Sequence, residues 1–126
     1  MTGLPPEGWR AATLVALAVL FVAAGVAHVV KPRMFEAIVP PAFPAPRALV
    51  LISGMAEVLG GLGLLVPSVR TAAGWGLALL LVAVFPANGY MALRAERFRR
   101  IAPPWVLWAR LPLQPLLIAA VLWASR

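Results

Sequence analysis

An all-α integral membrane protein, a four-helix bundle with a proline-rich first loop, is the fold class that this sequence predicts. Three observations carry it. Apolar residues make up 63% of the 126 and charged ones 12%, with a mean hydropathy of +0.93, whereas a soluble domain is only about half apolar. Four stretches each approach the ~20 residues needed to cross ~30 Å of hydrocarbon at ~1.5 Å per residue. Little chain is left over outside them, so the whole sequence reads as one transmembrane domain.

The spans are expected at Trp9 to Val30, Ala48 to Val66, Thr71 to Leu93 and Pro104 to Ala124, each bounded by charge, proline or an aromatic residue. The first apolar run is too long, and its basic leader too weak, for a cleaved signal peptide. Between the first two spans lies "KPRMFEAIVPPAFPAPR". Its prolines oppose a long helix and predict a folded-back surface segment with one amphipathic turn at Met34 to Val39. The other connections are tight. Loop charge predicts orientation: Lys31, Arg33, Arg47, Arg94, Arg97, Arg99 and Arg100 fall in the first and third loops, against Arg10, Arg70 and Arg126 on the other side. Basic loops stay cytoplasmic, so both termini are expected outside. Trp9, Trp75 and Trp123 then mark one interface, and Tyr90, Trp105 and Trp108 the other.

Charge also limits function. The net +7 arises from 11 basic and 4 acidic residues, and in so apolar a chain the excess reads as topology and anionic-lipid contact rather than a nucleic-acid footprint. No cysteine is present, which excludes dithiol chemistry, iron–sulfur clusters and thiolate zinc sites. A single histidine makes a poor metal site, and its spacing from Met55 or Met91 carries no specific haem pattern. Any redox role must borrow a cofactor or a quinone.

Among the polar residues in or at the ends of the spans are His28, Ser53, Glu57, Asn88, Tyr90, Arg110 and Gln114. Counted at ~1.5 Å per residue from the end facing the first and third loops, His28 lies ~3 Å deep, Asn88 ~8 Å, Arg110 ~9 Å, Glu57 ~14 Å and Gln114 ~15 Å. All share one half of the bilayer, which predicts one polar chamber whichever way the chain is inserted. Ser53 and Glu57 are four residues apart, as are Arg110 and Gln114, so each pair shares a helix face. Glu57 and Arg110 are the ionisable residues well inside their spans, and each alone costs about 2.5–3.5 kcal/mol at mid-depth. They are therefore expected to pair. Pro86, Pro112 and Pro115 leave carbonyls near Val82, Trp108 and Leu111 without their usual donors, and the freed acceptors need partners. A structural role is the competing reading: Glu57 with Arg110 as a register device, and Asn88 and Gln114 as interhelical hydrogen-bonders.

These residues sit in segments that, taken together, resemble the DoxX-like small membrane proteins: "GVAHVVKPRMFEAIVPPAFPAPRALVLISGMAEVLGGLGLLVPSVRTAAGWGL", "VFPANGYMA" and "RLPLQPLLIAA". The shared features are the glycine and histidine closing the first helix, the proline-rich connector, the glycine-then-glutamate of the second, Pro86-Ala87-Asn88, and Arg110 with Gln114. The resemblance implies a four-helix bundle in the bacterial inner membrane and a link to quinone-dependent oxidoreductase complexes through a protein partner. Two functions stay open. One is a redox-associated subunit whose chamber holds a quinone headgroup or similar molecule, with His28 and Arg110 as donors and Glu57 as proton acceptor. The other is an assembly or lipid-binding protein in which the polar cluster is structural.

Overall fold

The computed structural model describes residues 6–37, 39–99 and 102–126; Arg100, among the loop charges above, and Ile38, in the expected amphipathic turn, lie outside them. Four long helices are present: α1 Pro6–Val30, α3 Pro46–Leu64, α4 Arg70–Leu93 and α5 Pro104–Ala124, with a short α2 at Pro32–Glu36 and a 3-10 turn at Ala95–Phe98. All four are long and apolar enough to cross a membrane, and no strand occurs among the described residues.

Proline sets several boundaries. Pro32, Pro46 and Pro104 stand in the first turns of α2, α3 and α5, where a missing N–H costs nothing because no intrahelical acceptor awaits it. That is why α3 runs over 46–64 rather than the expected 48–66, and why the connector's helical turn begins before Met34. Ala45, squeezed between two prolines, takes a left-handed conformation with φ of 48° and turns the chain into α3. At the far end of α3, the Arg70 Nε donates to the Leu64 carbonyl oxygen at 2.7 Å. This supplies one of the donors that a helix C-terminus lacks.

The helices close into a ring. Helix α1 packs most extensively on α3, α3 on α4, α4 on α5 and α5 back on α1, while the diagonal pairs α1 with α4 and α3 with α5 make no close backbone approach. One core lies toward the chain termini and draws on all four: Leu14, Leu17 and Phe21 from α1, Leu64 from α3, Leu77 and Leu81 from α4, Val121 and Ala124 from α5. A second core lies toward the loops and joins Met91, Ala92, Phe98 and Leu107, from α4, the 3-10 turn and α5 alone. At this loop end the α4–α5 pair thus packs around its own third element. Helix α2 does the same for α1 and α3.

Small residues set the closest approach. A Cβ added to Gly25 would lie 2.5 Å from the Gly54 carbonyl oxygen and 2.9 Å from the Val58 nitrogen, and one added to Gly54 would lie 2.6 Å from His28 Cβ. Helices α1 and α3 therefore cross backbone against backbone, one turn from the polar residues each carries.

Candidate functional site

His28 and Glu57 meet at this crossing. Gly25 precedes His28 by three residues, and Gly54 precedes Glu57 by three; that spacing keeps each glycine and its polar partner on one helix face. The close approach then brings His28 Nδ1 to 3.2 Å from Glu57 Oε2, with both side chains largely buried. The same Nδ1 lies 2.7 Å from the Ala24 carbonyl oxygen. A carbonyl only accepts, so Nδ1 carries the hydrogen and donates it to Ala24. Glu57 Oε2, with no solvent contact, is left without a hydrogen bond among the described residues. A buried oxygen in that state costs about 1–3 kcal/mol or more unless something else reaches it. Phe35 stacks on the His28 ring at 3.8 Å between centroids and 18° between planes, closing the imidazole from the connector side.

The expected pairing of Glu57 with Arg110 is not formed. No carboxylate lies within ion-pair distance of Arg110 among the described residues. Its Nη1 instead meets the Met91 sulfur at 3.8 Å, a weak acceptor for a guanidinium. Topology is the reason: α3 and α5 are diagonal in the ring, so with neighbouring axes 8–10 Å apart their axes stand roughly 11–14 Å apart. His28, on adjacent α1, reaches Glu57 first. Arg110 stands on α5, which packs on α1 in the ring.

The other expected residues divide. Asn88 is buried on α4, 4% exposed. Ser53 lies half-buried, one turn before Glu57 on the same face of α3. Gln114, 6% exposed, donates through Nε2 to the Leu81 carbonyl oxygen at 2.9 Å. Pro86 deprives Val82 of its donor, and Gln114 serves the adjacent carbonyl, so it acts as an interhelical tie between α5 and α4. Tyr90 belongs elsewhere: its hydroxyl accepts from Arg97 Nη1 at 2.8 Å and its ring meets Phe98 edge-on at 5.9 Å. It anchors the 3-10 turn and is not joined to His28 or Glu57. The sequence reading missed the Ala24 carbonyl, Phe35 and Met91 as partners. Repeated Gly-x-x-polar spacing in α1 and α3 was the available signal for the histidine–glutamate contact; nothing marked Phe35. Among the described residues no group of three His, Cys, Asp or Glu side chains is placed to hold a metal ion.

Residues 17–125 match the family described as a domain of unknown function, DUF8561. The chain belongs to the DUF8561 family. The DUF8561 match spans all seven polar positions, from His28 to Gln114, together with the glycine crossing. No curated protein and no solved structure matches the chain.

Proposed function

We propose that this protein is a small-molecule-binding membrane subunit whose loop-end chamber receives a polar headgroup between the α1–α3 and α4–α5 pairs. One observation carries the reading: Glu57 presents a buried oxygen without a hydrogen bond among the described residues, while Arg110 on the diagonal helix is exposed and meets the Met91 sulfur. The unmet buried acceptor favours a partner that brings it a donor, and an exposed guanidinium is free to hold the other end of that partner. A quinone headgroup suits the groups present. Arg110 and Asn88 would donate to its carbonyl oxygens, and Glu57 would exchange a proton with a hydroxyl. Because Nδ1–H is committed to Ala24, a neutral His28 keeps Nε2 as an acceptor, so the donor role passes to Arg110 and Asn88. The resemblance to DoxX-like proteins supports the quinone link, a redox partner protein, and a bacterial inner-membrane location. The basic first and third loops favour both termini outside.

Calorimetric titration of the purified protein in detergent with a short-chain benzoquinone tests this. Binding is expected in the parent and about tenfold weaker in Asn88→Leu and Glu57→Leu, with Gln114→Leu unchanged. Absence of binding in the parent, or equal binding in Asn88→Leu, would overturn the proposal. A second reading, assembly without a ligand, draws on the Gln114–Leu81 bond, in which one polar residue ties α5 to α4. It predicts that every polar substitution changes melting temperature and none changes ligand uptake.

A further inference from the structure

The first loop builds a second site, apart from the chamber. A cavity of about 430 Å³ opens between the end of α1, α2 and the start of α3, lined by Val30, Lys31, Pro32, Arg33, Met34 and Arg47. Three cations border it. Glu36 faces Arg47 as an ion pair, but among the described residues Lys31 and Arg33 have no carboxylate within 4.0 Å. The other acids are placed elsewhere: Glu57 is on His28, Glu96 is on Arg99, and Glu7 stands at the opposite end of α1. The cavity thus keeps excess positive charge at the depth where a span ends.

Directly below it, a groove of about 350 Å³ runs between α1 and α3, lined by Val26, Val29, Val30, Met55, Val58 and Leu59. Its lining is wholly apolar, and Val30 belongs to both spaces. Val26 to Val30 and Met55 to Leu59 each advance ~6 Å along their helices, so the groove leads from the cations toward the bilayer interior. Both volumes fall in the range of small-molecule sites. A basic cavity continuous with an apolar groove is complementary to a phosphate-bearing headgroup with an acyl chain attached, and a free anion would leave the groove unused. We infer that Lys31, Arg33 and Arg47, with the α1–α3 groove, form a binding site for one anionic phospholipid.

Native mass spectrometry of the protein in detergent, titrated with phosphatidylglycerol and with phosphatidylcholine of identical acyl chains, tests the assignment. Phosphatidylglycerol should bind at least tenfold tighter. Each of Lys31→Gln and Arg33→Gln should weaken it about fivefold, the factor corresponding to one juxtamembrane cation, and leave phosphatidylcholine unaffected. Met55→Trp, at a lipid-facing position that is 58% exposed, fills the groove and should weaken phosphatidylglycerol without touching a charge. Equal binding of the two lipids would overturn the site. So would an equal loss in Arg97→Gln, which would reveal unspecific surface charge. Full displacement of phosphatidylglycerol by millimolar inorganic phosphate, with Met55→Trp silent, would assign the cavity to a free anion and overturn the lipid. None of these outcomes depends on the quinone titration, since no residue is shared.

Discussion

The two ends of the bundle are held by different physics. Toward the termini, side chains from all four long helices interlock in one dry core, with Leu64, Leu77 and Val121 almost fully buried. Toward the loops, that common core is replaced by two separately closed pairs. Helices α4 and α5 pack around the 3-10 turn, and α1 and α3 cross at Gly25 and Gly54 under α2. Lipid tails are as apolar as leucine, so only packing and polar contact favour helix over lipid as a neighbour. The terminal half uses the first. Toward the loops the pairs share less packing, and polar contacts form inside each pair: His28 meets Glu57 between α1 and α3, and Arg110 meets Met91 between α5 and α4. Polar groups at the terminal end are fewer and mostly serve ends of helices: Thr71 Oγ1 donates to the Ser125 carbonyl oxygen at 3.1 Å, and Arg10 lies 6.0 Å from the Trp123 ring centroid.

The strongest challenge to this contrast is Gly25→Val. Its added Cβ meets the Gly54 oxygen and the Val58 nitrogen of the α3 backbone as well as the Val58 side chain, and the backbone atoms cannot turn aside, so the α1–α3 pair must separate. A loss of about 3 kcal/mol is expected, read as a fall in melting temperature in detergent, together with loss of the His28–Glu57 contact. Leu77→Ala comes next, at about 2 kcal/mol: the transfer part of the usual cavity cost shrinks in lipid, but the void in the four-helix core remains. If Gly25→Val were tolerated while Leu77→Ala unfolded the protein, the loop half would be held by something other than backbone approach.

Double-mutant cycles sharpen the comparison further. Glu57→Gln with His28→Gln should show a coupling of about 1 kcal/mol, whereas Glu57→Gln with Arg110→Gln should be additive within about 0.5 kcal/mol. Reversal of that order would restore the pairing across the diagonal. Gln114→Leu should cost about 0.6 kcal/mol, the ordinary worth of an interhelical hydrogen bond in a membrane.

The smallest effect is expected in the third loop. Arg99 holds Glu96 through two bonds, of 2.6 and 3.0 Å, and that contact keeps the Glu96 carboxyl below the usual carboxylate range. A lowered acid contributes stability above its ordinary pKa and loses it only as pH falls through the lowered value. The pair is fully solvated, so Glu96→Gln should leave melting unchanged at neutral pH. A carbon-detected NMR titration should find Glu96 still ionised where an ordinary glutamate is half protonated.

Much was legible before folding because the bilayer imposes it. Hydrocarbon thickness sets span length, and the obligation to satisfy every backbone group makes the spans helical, so Val30, Leu93, Pro104 and Ala124 mark boundaries in the sequence and in the structure alike. Position along each helix was legible for the same reason, though counted depth did not carry over between helices: the ~3 Å of His28 and the ~14 Å of Glu57 belong to side chains 3.2 Å apart, and Glu57 lies beyond the middle of Pro46–Leu64. Pairing was not. Which helix stands beside which, and which stands across, is decided by packing, and the ring order places α3 against α1 and opposite α5. Charge complementarity alone favoured Glu57 with Arg110; the glycine crossing gave Glu57 to His28 instead, because diagonal axes stand roughly 3–4 Å farther apart than neighbouring ones. Tyr90 shows the same limit: it stands two residues from Asn88 on α4, yet Arg97 of the local 3-10 turn claims its hydroxyl. Sequence determined how far along its helix each polar group sits, through the fixed rise of a helix; only tertiary packing decided the offset, rotation and neighbour that turn position into contact.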